Sequence, residues 1–342
     1  MRITYKAYQL ALKYPFTIAK FSRTSTPIIL LEIHHQGFIG LGEASMVPYL
    51  GESVETATHF LKKVNLSAFS FPFNMEEILA YLDHLDKGLP AIKAAIDIAL
   101  HDLTGKILNK PCYQLFGANK DLMPPTTFTI GIDTPEIIIK KVNDALADDF
   151  KLLKIKLGRD TDKLLIKTIR EVTNLPLYVD ANQGWTDKHQ GLEMAHWLNE
   201  QGVLLIEQPM PKEDVDGNAW LTERSPIPTV GDEAVQRLAD VAKAKGVYHG
   251  INIKLMKSAG MFEAAKMIKA AKQNDLKVLI GCMSETSVAT LAGAALAPLC
   301  DWVDLDGPFL TANNPFQTPK FVNGKYVLSD DAGLGVLTPI TH

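Results

Sequence analysis

Residues 152–182 read LLKIKLGRDTDKLLIKTIREVTNLPLYVDAN, and this stretch contains the pattern that decides the fold. A short apolar run at 152–157 is followed by an amphipathic segment and then by a second apolar run at 177–180. This order of elements is typical of parallel strands that are joined by crossover helices.

The same rhythm repeats over most of the chain. The apolar runs that predict barrel strands cover residues 128–132, 152–157, 177–180, 203–207, 229–232, 250–255, 278–281 and 302–305. Such runs, with helices between them, predict an α/β fold, a modified TIM barrel of the (β/α)7β type. The alternative is a doubly wound sheet, which usually carries a glycine-rich phosphate loop. Neither G-x-G-x-x-G nor G-x-x-x-x-G-K occurs in the sequence.

A different pattern precedes the barrel. Strands are predicted there at residues 2–12, 27–35 and 38–43. Helices are predicted to follow at residues 53–64, 75–85 and 91–107. Pro124-Pro125 marks the end of this part of the chain. We therefore expect an α+β capping domain at residues 1–123 and a catalytic barrel at 124–312. A C-terminal segment at 313–342 is expected to pack back on the capping domain.

The composition is that of an ordinary globular protein, with 342 residues, of which 46% are hydrophobic and 22% charged. The formal net charge of −4 leaves no basic surplus for nucleic acid or an anionic membrane. Three widely spaced cysteines form no C-x-x-C pattern, and no apolar stretch is long enough to span a bilayer. We therefore expect a cytoplasmic protein with reduced thiols and no membrane or nucleic-acid partner.

Charged residues close most of the predicted barrel strands. In this fold the active site lies at the carboxyl ends of the strands, so a polar residue that closes an apolar run is a functional candidate. In chain order these residues are Lys156, Asp180, Glu207, Asp232 and Lys254, each on the next strand around the barrel. The sequence thus predicts three neighbouring carboxylates between two lysines.

Three neighbouring carboxylates in a partly buried barrel mouth need compensation if all are to stay ionised. A bound divalent cation provides it, and a set of oxygen ligands without His or Cys favours Mg²⁺ over zinc. The alternative is that the acids form plain ion pairs with Lys154, Lys156 and Lys254. That alternative explains a single acid well, but it explains three consecutive strand ends poorly.

The lysines indicate proton transfer. Lys154 and Lys156 are two residues apart on one predicted strand, so their side chains share a face. A neighbouring ammonium and desolvation both favour the neutral form of a lysine, which would make Lys156 a usable base. A divalent ion that holds a carboxylate stabilises the enediolate formed when the adjacent proton is removed. If one lysine removes this proton and Lys254 returns it on the other face, the result is racemisation or epimerisation.

Five short motifs contain these residues: Lys154-Ile155-Lys156, Asp180-Ala181-Asn182, Glu207-Gln208-Pro209, Gly231-Asp232-Glu233 and Asn252-Ile253-Lys254. Together they closely resemble the enolase superfamily, in its muconate-lactonizing-enzyme-like subgroup, over nearly the whole chain. The resemblance implies that Asp180, Glu207 and Asp232 bind one Mg²⁺ per subunit. It implies that Lys156 and Lys254 are the acid and base, as is generally known of this superfamily. Asn182 and Glu233 would support the metal ligands.

The last predicted strand narrows the choice among the reactions of this subgroup. Asp304-Leu305-Asp306 resembles the D-x-D motif with which dipeptide epimerases hold the free α-ammonium group of the substrate. Two carboxylates on one face suit a cation and would repel an anionic o-succinylbenzoate or muconate substrate. An alternative is that either aspartate merely caps the end of the barrel. Thr129, Lys154 and Met283 are further predicted substrate contacts, the last within a segment that resembles the G-x-M-x-E of the family.

Two loops of the capping domain, at about 17–26 and 45–52, are expected to close over the barrel mouth and select the substrate, with Phe21 and Tyr49 as contacts. The arginine that grips the glutamate side chain in Ala-Glu epimerases falls near Phe21 rather than on Arg23. This difference predicts an Ala-containing or hydrophobic dipeptide. Because members of the family often assemble, a homo-oligomer is expected.

The sequence leaves alternatives to a dipeptide epimerase. N-acylamino acid racemase and o-succinylbenzoate synthase belong to the same subgroup. A metal-independent Schiff-base aldolase could use Lys156 or Lys254 on the same barrel. A non-catalytic binding protein is the remaining class, and it would leave the five charged strand ends without a purpose.

Overall fold

An antiparallel sheet opens the computed structural model, which describes residues 1–18, 21–47 and 50–335. Its strands lie in the order β1 (Arg2–Thr17), β2 (Ser22–His35) and β3 (Phe38–Ser45). Strand β2 alternates in burial, so that Ile29, Leu31 and Ile33 face the interior. The predicted strands are confirmed, but β1 and β2 extend further toward each other than the sequence indicated.

Helices α1 (Val54–Leu61), α2 (Met75–Leu85), α3 (Pro90–Leu108) and α4 (Cys112–Leu115) complete the N-terminal part. Helix α3 is buried on most of its circumference, as its small and apolar residues predict. It packs directly on β3, because a Cβ atom at Gly40 or Gly42 would lie 2.0 or 1.9 Å from the carbonyl oxygen of Ala99 or Ala95. The close approach makes sheet and helix one rigid cap.

A parallel barrel follows the cap. Its strands are β4 (Phe128–Ile130), β5 (Leu153–Lys156), β6 (Leu177–Asp180), β7 (Val203–Glu207), β8 (Thr229–Gly231), β9 (Gly250–Lys254), β10 (Lys277–Gly281) and β11 (Trp302–Asp304). They pair in chain order, and a bridge between Thr126 and Val303 joins the first strand to the last. The predicted barrel is confirmed.

Helices cover the outside of the barrel: α5 (Pro135–Ala147), α6 (Asp162–Val172), α7 (Lys188–Glu200), α8 (Val215–Arg224), α9 (Leu238–Val241), α10 (Met261–Gln273) and α11 (Ser287–Leu296). The last strand is followed by a single helical turn, α12 (Gly307–Leu310), which confirms the (β/α)7β pattern. None of the helices in the described ranges is long and apolar enough to cross a membrane.

The chain after α12 returns to the cap. A short hairpin, β12 (Phe321–Val322) and β13 (Lys325–Tyr326), lies on the way. The Asn313 side chain accepts a hydrogen bond from the Ala11 amide at 2.7 Å, and the Leu334 amide donates to Asp102 at 2.8 Å. These contacts agree with a tail that packs on the cap, while the boundaries at 123/124 and 312/313 stay predictions.

Alternation along the barrel strands separates two environments. Leu177 and Val179 on β6 point outward into the apolar layer beneath the helices. Tyr178 points inward and packs with Leu205 and Leu279 as an apolar plug inside the barrel. Because side chains two residues apart share a face, Asp180 also points inward, above that plug. The charged side chains at the ends of the strands therefore point into the barrel mouth.

Candidate active site

The three predicted carboxylates meet at the barrel mouth. In the parallel register Asp180 lies opposite Glu207, and Asp232 follows β8, the next strand. All three side chains are buried, and one oxygen atom from each lies within 4.8 Å of the others. The cluster consists of hard oxygen donors, so the residues present fit a divalent cation such as Mg²⁺.

Lysines surround this cluster and neutralise it. Lys156 Nζ lies 2.6 Å from an oxygen of Asp180, and Lys254 Nζ lies 2.7 Å from an oxygen of Asp232. Lys154 Nζ lies 2.6 Å from Glu207 Oε2. The ion pairs considered as an alternative are thus present, and they coexist with a carboxylate cluster of metal-binding size.

Lys257 is a further member of the cluster that the sequence reasoning missed. Its buried ammonium donates to Asp232 Oδ1 at 2.5 Å and also to the backbone oxygens of Asp232, Val235 and Asn252. It lies beyond the end of β9, where strand periodicity no longer assigns a direction to a side chain. The one available signal is its position three residues after Lys254 in the sequence.

The carboxylates of the cluster differ in acidity. Burial would raise the pKa of Asp180, but the charges of Lys156 and Lys154 outweigh it and lower the pKa to about 2. Burial and the charge of Asp180 raise the pKa of Glu207 to about 8, against the opposing effect of Lys154. Without a metal ion, the site therefore favours a proton on Glu207.

Asn182 and Glu233 lie beside the cluster. Asn182 adopts a left-handed backbone conformation (φ 45°), and its amide donates to Asp180 Oδ1 at 2.9 Å. Its side-chain nitrogen lies 3.4 Å from Glu233 Oε1. Burial and the charge of Asp232 raise the pKa of Glu233 to about 7. The turn after β6 thus orients one oxygen of Asp180.

The two aspartates of the last strand have different partners. Asp304 accepts hydrogen bonds from Lys154 at 2.7 Å and from the Thr127 hydroxyl at 2.5 Å. Asp306 accepts a hydrogen bond from the Thr129 amide at 2.6 Å. Burial and the charge of Asp304 raise the pKa of Asp306 to about 6. Asp304 is therefore built into the cluster, whereas Asp306 is the more independent of the two.

Lys154 joins the two groups of acids. Burial acts to lower its pKa, but the charges of Asp304, Glu207 and Asp180 outweigh burial and raise the pKa well above the usual value. The ammonium therefore stays charged and bridges the last strand to the carboxylate cluster. Its side chain also forms part of the cavity wall described next.

A cavity of about 190 Å³ opens above these groups, between the barrel and the cap. Its barrel wall includes the predicted residues Thr129, Lys154, Lys156, Asn182, Asp232, Glu233, Lys254, Met283, Asp304 and Asp306. Residues that the sequence reasoning did not assign also line it: Phe16, Ile18, Val47, Gln183, Cys282, Ser284 and Leu310. The structure thus brings the two lysines and the two aspartates to one space.

The cap contributes Phe21 and Arg23 to this cavity. Phe21 lies at the cavity wall, while Tyr49 lies outside the described residues. The first predicted loop is shorter than expected, because Ser22 to Thr26 belong to β2. The Arg23 guanidinium donates to the Ser284 hydroxyl at 3.0 Å and lies 5.8 Å from the centre of the Phe21 ring. Arg23 falls within the first predicted loop, next to the predicted contact Phe21, and this proximity is the signal that could have indicated it.

Known proteins share this architecture. Residues 2–117 match the model of the mandelate racemase / muconate lactonizing enzyme N-terminal domain, and residues 138–338 match the enolase C-terminal domain-like model. The chain is 53% identical to an L-Ala-D/L-Glu epimerase of Bacteroides thetaiotaomicron over 98% of its own length and 88% of that protein.

Solved structures agree with the sequence matches. A dipeptide epimerase of Enterococcus faecalis V583, complexed with Mg and L-Leu-L-Tyr, superposes with a TM-score of 0.90 at 31% identity, covering 98% of this chain and 99% of that one. An L-Ala-D/L-Glu epimerase of Bacillus subtilis gives a TM-score of 0.91 at 27% identity, with 98% of each chain covered. The chain therefore belongs to the mandelate racemase / muconate lactonizing enzyme family and, within it, to the dipeptide epimerases.

Proposed function

We propose that this protein inverts the α-carbon of the C-terminal residue of a dipeptide, with one Mg²⁺ per subunit. The observation that carries the proposal is the placement of Lys156 and Lys254. They end β5 and β9, which are four positions apart among the eight barrel strands of the described residues. In a closed barrel of that size, strands four positions apart face each other. Both lysines line the cavity and both contact the carboxylate cluster.

Asp180, Glu207 and Asp232 would hold the ion. Bound there, it would supply positive charge to the substrate carboxylate and so make the adjacent C–H bond more acidic. The solved E. faecalis relative is complexed with Mg and a dipeptide, which supports the assignment. The all-oxygen donor set of this chain supports it independently.

Lys156 and Lys254 would exchange roles according to the configuration of the substrate. One ammonium loses its proton and acts as base, and the other donates a proton to the opposite face of the same carbon. Asp180 and Asp232 hold the two nitrogen atoms in position. The Phe16 ring, with its centre 5.5 Å from Lys156 Nζ, would shield that side of the lysine from water.

Asp304 and Asp306 would bind the free ammonium of the N-terminal residue. Both carboxylates line the cavity, and Lys154 and the Thr129 amide hold them in place. A cation is the partner that two neighbouring buried carboxylates favour. This feature speaks against N-acylated substrates, whose nitrogen carries no charge.

Arg23 supports an acidic C-terminal side chain. Its guanidinium lines the same cavity as the lysines and can pair with a carboxylate in a bidentate manner. The close relative from B. thetaiotaomicron is an L-Ala-D/L-Glu epimerase. We therefore place L-Ala-D/L-Glu first among the Ala-containing dipeptides, with the hydrophobic dipeptides suggested by Phe21 as the second group.

The test is α-proton exchange. We expect the protein in D2O with Mg²⁺ to replace the α-hydrogen of the glutamyl residue of L-Ala-L-Glu and to form the D epimer, as followed by NMR. N-acetyl-L-Ala-L-Glu is the matched control, since it lacks the ammonium and should react far more slowly. Equal rates on both compounds would instead favour an N-acylamino acid racemase. Full activity after EDTA treatment would instead favour a metal-independent Schiff-base aldolase.

Assembly into a homo-oligomer and a cytoplasmic location stay predictions. Size-exclusion chromatography with light scattering tests the first, and cell fractionation tests the second.

A further inference from the structure

Three cavities lie in a row from the barrel mouth toward the surface beneath β1. The main cavity shares Phe16, Thr129 and Leu310 with a second cavity of about 20 Å³. The second shares Tyr14, Phe128 and Leu310 with a third of about 280 Å³. Leu310 alone among these residues lines all three cavities, so its side chain separates the reaction space from the space behind it.

The backbone on either side of Leu310 is held in place. Strand β1 leaves its register with β2 between Ala11 and Phe16, and its bulged part turns toward the barrel. There Leu12 forms an antiparallel bridge with Thr311, and the Ala312 amide donates to the Ala11 oxygen at 2.8 Å. The backbone next to Leu310 is therefore held by strand β1 of the cap.

Leu310 lies at the amino end of the proposed substrate. Asp306, which would bind the ammonium, accepts its hydrogen bond from the Thr129 amide, and Thr129 lines both the main and the second cavity. A dipeptide whose ammonium group binds Asp306 would therefore have its N-terminal side chain near this shared wall. Lys156, Lys254 and Arg23 line the main cavity but not the second or third.

We infer that Leu310 sets the upper size of the N-terminal side chain of the substrate, an inference that rests on the proposed function. With Leu310 in place, the second cavity has no room for more than the smallest group, so dipeptides with N-terminal Gly or Ala fit. A smaller residue at position 310 would join the main cavity to the larger space behind it, whose wall includes Phe128, Ala147 and Phe309 together with Lys13, Asp144 and Asp148. Dipeptides with N-terminal Val, Leu or Phe then gain burial for their side chains.

The experiment compares Leu310→Ala with the unaltered protein on L-Gly-L-Glu, L-Ala-L-Glu, L-Val-L-Glu, L-Leu-L-Glu and L-Phe-L-Glu, by α-proton exchange. We expect the ratio of kcat/KM for L-Leu-L-Glu to that for L-Ala-L-Glu to rise at least about tenfold, the lower range for a methylene-sized difference in an apolar pocket. Leu310→Val is the fallback if Leu310→Ala does not fold, and it should shift the ratio in the same direction.

Two controls separate this effect from a general loss of packing. Leu310→Met keeps the volume of the side chain and should keep the preference for alanine. Val47→Ala enlarges the main cavity at a residue that does not line the other two, and should leave the N-terminal ratio unchanged. If both Leu310→Ala and Leu310→Val leave the ratio unchanged, the inference is wrong while the proposed function stands. If the unaltered protein exchanges no dipeptide, the proposed function itself has failed.

Discussion

The two aspartates of the last strand are not equivalent probes of substrate binding. Replacing Asp304 would also remove a partner of Lys154, which contacts two metal-site carboxylates. Asp306 lacks that link. We therefore predict that Asp306→Asn lowers kcat/KM for L-Ala-L-Glu by about 2–5 kcal/mol of transition-state stabilisation, the usual cost of truncating one partner of a buried charge pair. Steady-state kinetics of epimerisation measures it.

The affinity for Mg²⁺ provides the control for Asp306→Asn. The Mg²⁺ affinity of the variant should stay within about threefold of that of the unaltered protein. A threefold change corresponds to less than about 1 kcal/mol of binding free energy. A variant that loses metal binding together with activity would show that Asp306 belongs to the metal site rather than to the ammonium site.

The acidity of Asp306 predicts a pH dependence. Burial and the charge of Asp304 raise the pKa of Asp306 to about 6, and only its ionised form attracts an ammonium. At saturating Mg²⁺, kcat/KM should therefore rise with pH through about 6 and level off above it, with a slope of about tenfold per pH unit below the pKa. Profiles of the unaltered protein and Asp306→Asn test this, because the variant should lack this limb.

Glu207 predicts proton release on metal binding. Burial and the charge of Asp180 raise the pKa of Glu207 to about 8, so the carboxyl is mostly protonated at pH 7 in the metal-free protein. A metal ligand must be ionised, so Mg²⁺ expels this proton, and the affinity for Mg²⁺ should rise as pH increases toward 8. Calorimetric titration in two buffers of different ionisation enthalpy counts the protons.

Glu233 is the group to control for in that titration, since burial raises its pKa to about 7. Glu233→Gln should keep the part of the proton release that comes from Glu207. Magnesium binding at pH 7 without proton release in either protein would contradict the assignment of Glu207 as a ligand.

Sequence could predict the site residues that lie at or just beyond the strand ends, and it was weaker for those that lie farther away. Lys156, Asp180 and Glu207 each close an apolar run, so strand periodicity alone aims them into the barrel mouth. Lys257 follows a strand by three residues, and Arg23 reaches the cavity from another domain. Their positions depend on tertiary packing, which no local pattern contains.

At the scale of elements, the cap provides polar partners for two barrel helices. Glu43 on β3 accepts hydrogen bonds from the Thr286 and Ala289 amides at the start of α11, at 2.8 and 3.2 Å. Asp97 on α3 accepts one from the Met261 amide at the start of α10, at 2.5 Å. Helix N-termini leave amide groups without intrahelical partners, so a carboxylate from the cap satisfies them.

This arrangement predicts a stability effect. Glu43→Ala leaves buried amides at α11 without a partner, and each such group costs about 1–3 kcal/mol. We expect the free energy of unfolding to fall by at least about 1–3 kcal/mol, as measured by urea denaturation. Glu76→Ala is the matched control, because its pair with Lys266 also joins cap to barrel but Glu76 is 70% exposed. That change should cost less than about 1 kcal/mol.

At the scale of the whole molecule, the barrel could be predicted because its repeating unit is visible in the sequence. Eight apolar runs predicted eight barrel strands, and the described residues confirm each of them with ends that move by at most a few residues. The length of the first two strands of the cap could not be predicted. The long β1–β2 arm carries polar residues on both faces, so no alternation of apolar and polar residues marks its end near the turn, where Thr17 pairs with Ser22 and Ala11 with Ser25.

Metal removal offers a test at this largest scale. Asp180, Glu207 and Asp232 come from three strands, so an ion held by all of them joins β6, β7 and β8 in the folded protein only. Binding to the native state alone stabilises it by about 2.7 kcal/mol at a magnesium concentration about one hundred times Kd. We predict that Mg²⁺ raises the Tm of EDTA-treated protein by several degrees in calorimetry, and that Asp180→Asn lacks this rise. Because Asp180 is also the partner of Lys156, the variant should show its own lower Tm in EDTA. An equal response to Mg²⁺ in both proteins would place the ion elsewhere on the chain.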